Sequence, residues 1–194
     1  MKTTIFISIK IFLVMTVLTG IIYPLILFVI GQTIFPENAN GSLITKNGKI
    51  IGSELIGQNF KSDIYFHSRP SAINYNPLPS GGSNLSVTST ELKLRTKQNI
   101  ADFDSVNQIN GLQKIPKEMI YASGSGLDPH ISAEAAILQV NRICKARNLT
   151  IEENKEIRSM IDQSVEGRGL GFLGEPRINV LKLNMILDQK FPIK

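Results

Sequence analysis

The sequence predicts an α+β domain held outside the cytoplasm by a single N-terminal transmembrane helix. Three observations predict it. Residues Ile11 to Gly31 run for 21 positions without a charge. An Asn47-Gly48 pair sits between two short apolar runs, the signature of a β-hairpin. The C-terminal half carries helical periodicity opened twice by the spacing of a capping box.

At about 1.5 Å rise per residue, the charge-free run is long enough to cross a hydrocarbon core of roughly 30 Å. A cleaved signal peptide has a shorter apolar region and ends in small residues. Here Gln32-Thr33-Ile34-Phe35-Pro36 follows instead, so the run is expected to remain as an anchor. Pro24 is tolerable in a span whose neighbours satisfy the freed carbonyl, which suggests that other helices surround it. Lys2 and Lys10 precede the run, whereas Glu37 is the first charge after it and Lys46 the first lysine. The positive-inside rule then keeps the N-terminus cytoplasmic. The expected division is a cytoplasmic segment 1–10, a transmembrane helix 11–31 and an extracytoplasmic domain 32–194, in the cell membrane.

Beyond the span, residues 42–53 (SLITKNGKIIGS) are expected to form a hairpin with a type I′ turn, giving a small sheet near the membrane. Ile64-Tyr65-Phe66 suggests a strand ended by Arg69-Pro70. Residues 70–86, rich in Pro, Gly, Ser and Asn, suggest a long ordered loop or a binding loop. Thr88-Ser89-Thr90-Glu91 has capping-box spacing and should open a helix to about Asp102. Pro116 to Ala122 suggests a short helix with Pro at its first position. A helix from Ile131 to about Arg147 would place Ile137, Val140, Ile143 and Cys144 on one face. Thr150-Ile151-Glu152-Glu153 is the second capping box, opening a helix with Ile151, Ile157, Ile161 and Val165 inward. Asn179 to Leu187 fits helix and strand periodicities almost equally, with helix preferred.

Composition removes several function classes. A hydrophobic share of 42% with 19% charged residues excludes intrinsic disorder. The apolar residues are too unevenly spread, and the mean hydropathy of +0.05 too low, for a polytopic membrane protein. Cys144 is the single cysteine, so an internal disulfide framework or a cysteine-only metal cluster is excluded. His67 and His130 are too few for a three-histidine zinc site. Setting Lys2 and Lys10 aside lowers the net charge from +5 to +3, too mild for a nucleic-acid surface.

The candidate motifs have plain structural explanations. Gly169 to Gly174 satisfies G-x-G-x-x-G, but it lacks the preceding strand and following helix of a dinucleotide site, and Pro176 follows at once. A turn-rich connection explains it better. Ser125, Asp128 and His130 lie close together and could suggest a hydrolase triad, yet Ser125 lacks the G-x-S-x-G elbow. Asp128 and Ser132 are instead good N-caps. Ser80-Gly81-Gly82-Ser83-Asn84 could cradle an anion with backbone N–H groups or be a plain loop. Arg142, Arg147, Arg168 and Arg177 are most simply solvated helix ends, and Cys144 a core residue. No phosphate-binding loop, metal-ligand set or catalytic constellation stands out.

Several stretches together resemble the C subunit of the Kdp potassium-transporting ATPase: GSELIGQNF (52–60), YFHSRPSA (65–72), SGGSN (80–84), SGSGLDPHIS (123–132), Gln139 with Arg142, and GEPRINVLKLN (174–184). With the anchor they cover nearly the whole chain in the family's order. Cys144 stands where the family usually has an apolar residue. The resemblance implies a non-catalytic subunit of a membrane complex with a channel-like potassium-translocating subunit, a P-type ATPase subunit and a small hydrophobic subunit. It also implies a role in raising the ATPase subunit's affinity for ATP, with Ser80, Gly81, Gly82, Ser83 and Asn84 compared to the signature loop of ABC transporters. No cofactor of its own is implied, ATP being reached through the ATPase subunit. The predicted orientation places Ser80 to Asn84 outside, away from cytoplasmic ATP. An assembly and stabilising role, with the span against the channel-like subunit and the domain over its entrance, is therefore preferred. A membrane-anchored hydrolase using Ser125, Asp128 and His130 is the alternative.

Overall fold

The structure is a computed structural model that describes residues 2–46, 48–109 and 115–193. It is α+β and divides into two compact units between Ser53 and Glu54.

In the first unit, α1 (Lys2–Val17), a π turn (Leu18–Ile22) and α2 (Tyr23–Ile34) join end to end. They give a helix, Thr3–Ile34, of 32 residues, long and apolar enough to span a membrane. The π turn has a local cause. Pro24 has no N–H for the Gly20 carbonyl and its ring would crowd that oxygen, so the wider turn moves the ladder aside. Hydroxyls within the helix are satisfied internally, Thr16 donating to the Phe12 carbonyl at 2.8 Å and Thr19 to that of Met15 at 2.7 Å. A single turn, α3 (Pro36–Ala39), leads into the antiparallel hairpin β1 (Leu43–Lys46) and β2 (Lys49–Ser53), as the sequence predicts. The register shifts between Ile44 and Thr45. Gly48 has φ 74°, while Asn47, on which the turn type also rests, lies outside the described residues.

The second unit packs helices around α5 (Ala133–Arg147), whose Ala135, Ala136, Val140, Ile143 and Cys144 are buried. Against it lie α4 (Thr90–Asn107), α6 (Ile151–Gln163) and α7 (Val180–Lys190), which contribute Phe103, Ile157, Ile161, Leu183 and Leu187 to one core. A two-residue pair, β3 (His130–Ile131) with β4 (Ile178–Asn179), feeds α5 and α7, whose N-caps Ser132 and Asn179 follow or end those strands. The ambiguous segment 179–187 is helical, and its strand-like start is β4. The capping box at Thr150 and Glu153 forms in full.

Several expectations need correction. The cap of α4 is Ser89, not Thr88, and the helix runs on to Asn107 because Phe103 and Asn107 reach the core. Between Pro116 and Ala122 there is a 3-10 turn, Lys117–Met119, not a full helix. Ile151 faces solvent, because the first position of α6 lies outside its buried stripe of Ile157, Met160 and Ile161. Asp128 caps no helix; its carboxylate accepts from the His130 N–H two residues on.

The largest correction concerns Ile64-Tyr65-Phe66, which is not a strand. Side chains satisfy this backbone where a neighbouring strand would. Asn184 on α7 accepts from the Phe66 N–H at 2.8 Å and donates to its carbonyl at 3.0 Å. Gln139 on α5 does the same for His67, at 2.7 and 3.3 Å. Arg142 donates to the Asp63 carbonyl at 2.6 Å and to Gln139 Oε1 at 2.8 Å, and Arg147 donates to the Ile64 carbonyl at 2.7 Å. Arg142 and Arg147 are therefore not solvated helix ends; their side chains are 5% and 2% exposed. Phe66, with no exposed surface, sits where this clamp places it.

Replacing Asn184 by Leu strands a buried N–H and a buried C=O, each costing about 1–3 kcal/mol. Denaturant unfolding of the full chain in detergent should show a loss of about 2–4 kcal/mol, well above the effect of a surface change. A loss below about 0.5 kcal/mol would remove the clamp as a structural determinant.

Candidate functional site

The motif stretches, scattered along the chain, meet at residues 123–132. Gly57 donates its N–H to the Leu127 carbonyl at 2.7 Å, and a Cβ there would lie 2.6 Å from the Asp128 carbonyl oxygen. Ser71 donates to the Gly126 carbonyl at 2.7 Å. The Gly81 N–H donates to the Ser125 carbonyl at 3.0 Å. On the other side His130 pairs with Asn179, and the Val180 N–H bonds the Pro129 carbonyl at 2.9 Å. Gly126 requires its lack of a side chain: at φ 70° a Cβ would stand 2.5 Å from Ile73 Cγ1 and 2.9 Å from the Gly81 carbonyl.

A cleft of about 530 Å³ opens beside this junction, with Arg69, Glu118, Asp128, His130, Glu175 and Arg177 in its wall. Arg69 and Asp128 form an ion pair at 2.5 Å. Burial acts to raise the Asp128 pKa, but hydrogen bonds from His130 and the Arg69 charge outweigh it and hold the carboxyl at about 2. His67, in the clamp, is pushed down to about 4 by burial first and the neighbouring Arg142 charge second.

The hydrolase geometry is missing. His130 Nδ1 lies 3.3 Å from Asp128 and Nε2 lies 3.9 Å from Glu166, so its ring nitrogens face carboxylates. Ser125 Oγ accepts from the Leu127 N–H at 3.1 Å, a local turn. Among the described residues no group of three or more His, Cys, Asp or Glu is arranged to hold a metal ion.

In the SGGSN loop, Ser80 and Asn84 are exposed and Gly81 to Ser83 half-buried. Gly81 has its N–H engaged by Ser125, and a Cβ on Gly82 would stand 3.0 Å from the Gly124 carbonyl. Asn84 takes the left-handed conformation at φ 52°. This loop is locked onto SGSG along one side. The rejected G-x-G-x-x-G stretch, meanwhile, closes a narrow hairpin with bridges Glu166–Arg177 and Gly169–Leu173. Its tip presents Leu170, Phe172 and Leu173 at 84%, 70% and 55% exposure. Arg168 and Arg177 lie on it, half-exposed and paired with Glu175 and Glu166.

Sequence reasoning missed the roles of Asn184, Arg142 and Arg147. A signal existed: Gln139 lies four residues from both Ala135 and Ile143, so it falls on the buried stripe, where a polar residue needs a partner.

Two acid transitions follow from the shifted groups. His67 is neutral in the fold down to about pH 4, while the unfolded chain binds its proton below about 6.5, so stability falls between those values. Asp128 contributes stability above its ordinary 3.8 and loses it as pH drops towards 2. Chemical denaturation of the full chain from pH 7 to 3 should show the first decline, and His67→Gln should flatten it while leaving the lower one. An unchanged upper decline in His67→Gln would assign it elsewhere.

Comparison with known proteins shows which family carries these stretches. The profile of a family described as "KdpC: K+-transporting ATPase, c chain" matches residues 5–189. A potassium-transporting ATPase KdpC subunit of Bradyrhizobium diazoefficiens is 46% identical over 196 aligned positions, covering 94% of either chain. The corresponding subunit of Burkholderia orbicola is 45% identical, covering 97% of each. That of Caldanaerobacter subterraneus is 43% identical, covering 93% of this chain and 92% of its own. The match runs from the apolar helix through the clamp and the 123–132 junction to α7, and the chain therefore belongs to the KdpC family, the c chains of K+-transporting ATPases.

Proposed function

We propose that this chain is a non-catalytic assembly subunit of an ATP-driven potassium uptake complex. It is anchored in the cell membrane by one span, with its N-terminus cytoplasmic and its domain outside. Its partners are a channel-like subunit, a P-type ATPase subunit and a small hydrophobic subunit, and the domain rests over the channel-like subunit's entrance. The observation that carries the reading is the Gly169–Gly174 hairpin tip. Leu170, Phe172 and Leu173 stand in solvent on a hairpin braced by its own bridges, and contiguous apolar side chains on a rigid support suit a protein interface. The orientation is supported by Lys2 and Lys10 ahead of the span and Glu37 as the first charge behind it.

Replacing Leu170 and Phe172 together by Ser should leave thermal unfolding of the chain nearly unchanged. It should also release the chain from the detergent-purified complex and lower potassium uptake at limiting potassium. A complex that stays intact and fully active with both substitutions would overturn this interface.

A second reading, in which the chain raises the ATPase subunit's affinity for ATP through Ser80 to Asn84, is favoured by one feature. The N–H groups of Gly82, Ser83 and Asn84 donate to no acceptor among the described residues, and Asn84 adopts the left-handed conformation of anion-binding nests. Gly81 cannot join them while it bonds Ser125. The two readings place the domain on opposite sides of the membrane. A C-terminal alkaline phosphatase fusion, active only where disulfides form, is expected to be active. A silent phosphatase together with a fluorescent cytoplasmic reporter at the same site would reverse the orientation and restore the ATP reading.

A further inference from the structure

We infer that the cavity beside Arg142, between the end of α4 and one side of α5, binds a small hydroxy acid. The ligand is a monocarboxylate that carries hydroxyl groups, and its carboxylate lies against Arg142 and Lys145.

The cavity holds about 450 Å³, with Asp63, Asn107, Gln108, Asn141, Arg142 and Lys145 in its wall. That volume falls within the roughly 300–1,000 Å³ range of small-molecule sites.

Arg142 is the residue that calls for a ligand. Its guanidinium has five N–H donors, of which three are engaged. Nε donates to Asn107 Oδ1 at 3.0 Å, Nη1 to the Asp63 carbonyl and Nη2 to Gln139 Oε1. One N–H on each terminal nitrogen has no acceptor among the described residues. All three acceptors are neutral. Asp63 Oδ1, the carboxylate that pairs with this side chain, stays 4.0 Å from Nη1 and is 66% exposed, whereas the Arg142 side chain is 5% exposed. Taking a charge out of water costs several kcal/mol, so a cation this deep ordinarily has a close counter-ion. Burial lowers Arg142 to about 10, and the Asp63 charge offsets only part of that. The counter-ion position is therefore weakly filled, and a cavity lies beside it.

The rest of the wall selects the ligand. Lys145 follows Arg142 by three positions on α5, which puts both on one side of the helix. It is exposed and pairs with no carboxylate among the described residues. Two cations against the Asp63 carboxylate leave a single net positive charge, which suits a monoanion better than a doubly charged phosphate. A carboxylate accepts charge-assisted bonds from guanidinium and ammonium together. The wall also includes the end of α4, where Gln108 is the cap in the left-handed conformation. The last carbonyls of a helix have no partner within it and need donors. The side-chain NH2 groups of Gln108 and Asn141 are exposed and donate to nothing among the described residues, so they need acceptors. Hydroxyl groups serve both. The complementary molecule is thus anionic at one end and hydroxylated at the other.

The test uses the full chain in non-ionic detergent and reads thermal unfolding, because a ligand that binds only the folded state raises the midpoint. Sodium gluconate is the probe, compared with sodium chloride at equal ionic strength, with sorbitol and with inorganic phosphate. Gluconate is expected to raise the midpoint saturably, and the other three are not. Lys145→Gln should raise the half-saturating gluconate concentration about fivefold. Asp63→Asn removes the competing carboxylate but keeps the main-chain carbonyl, and should lower that concentration about threefold. Both substitutions fall on exposed side chains, and Arg142 is left intact because the clamp needs it. A gluconate response no larger than that of chloride would overturn the inference. An equal response to sorbitol would take the carboxylate out of it, and an equal response to phosphate would make the site one for a bare anion; either outcome overturns the hydroxy acid. A gluconate response that ignores both substitutions would put the ligand elsewhere and overturn the site.

Discussion

The helical domain depends on one constraint: the backbone of residues 63–67 must be satisfied although no strand lies beside it. Residues 62–65 form a turn that its own Tyr65 N–H closes on the Ser62 carbonyl, and the buried Phe66 that follows needs partners for its N–H and C=O, because either left unpaired away from water costs about as much as a lost core contact. Here Asn184 and Gln139 act as the missing neighbour, each amide supplying a donor and an acceptor to a single residue. Arg142 holds Gln139 in place through Oε1 and is itself held by Asn107 at the end of α4. Thus α4, α5 and α7 are registered against one another through a five-residue piece of irregular chain. The apolar contacts of Phe66 and Phe103 fill the space, but hydrogen-bond direction decides how the helices are aligned.

The same constraint explains what was legible in the sequence. Local chemistry was legible: the capping box at Thr150, the β1–β2 hairpin and the apolar span all appear where their residues place them. Ile64-Tyr65-Phe66 was misleading because strand propensity measures fit to a half-buried extended surface and is silent about what supplies the hydrogen bonds. Likewise Arg142 lies inside α5 and Arg147 ends it, positions that local sequence leaves free to be solvated, and only tertiary structure brings carbonyls of residues 63, 64 and 191 to them. For the candidate site, the stretches that carry the family resemblance were visible as strings. Their convergence on 123–132 was not, because it runs through backbone groups whose identity the sequence does not encode.

That convergence bears on what the domain can do. Gly57, Ser71 and Gly126 are tied to one another's neighbourhood by hydrogen bonds to the Leu127 and Gly126 carbonyls, and Asp128 is tied to Arg69. A catalytic centre needs a reacting group free to meet a substrate, with its base aimed at it. Instead His130 faces carboxylates, Ser125 closes a turn, and Asp128 is tied to Arg69. These residues fix a shape. They brace the base from which the 166–177 hairpin leaves, since His130 lies beside Glu166 on its first arm and Lys182 of α7 approaches the same carboxylate.

In the assembly role proposed above, the chain acts by holding surfaces at set positions, and the rigidity of those surfaces determines how much it can contribute. Ordering a loop at the moment of binding costs free energy for every side chain immobilised, whereas a hairpin that is already closed gives up far less. The Gly169–Gly174 tip meets this condition: Gly171 and Gly174 take positive φ, and the cross-strand bridges leave the exposed Leu170 and Phe172 on a fixed frame. A change at the clamp therefore reaches the hairpin by a short route. If Gln139 or Asn184 releases residues 66 and 67, α5 and α7 lose their common register, and with it goes the β3–β4 pair at their N-termini. The tip is anchored through that pair, because Arg177 precedes Ile178 directly in the chain. Polar residues buried in the helical core thereby set how firmly the hairpin tip is held.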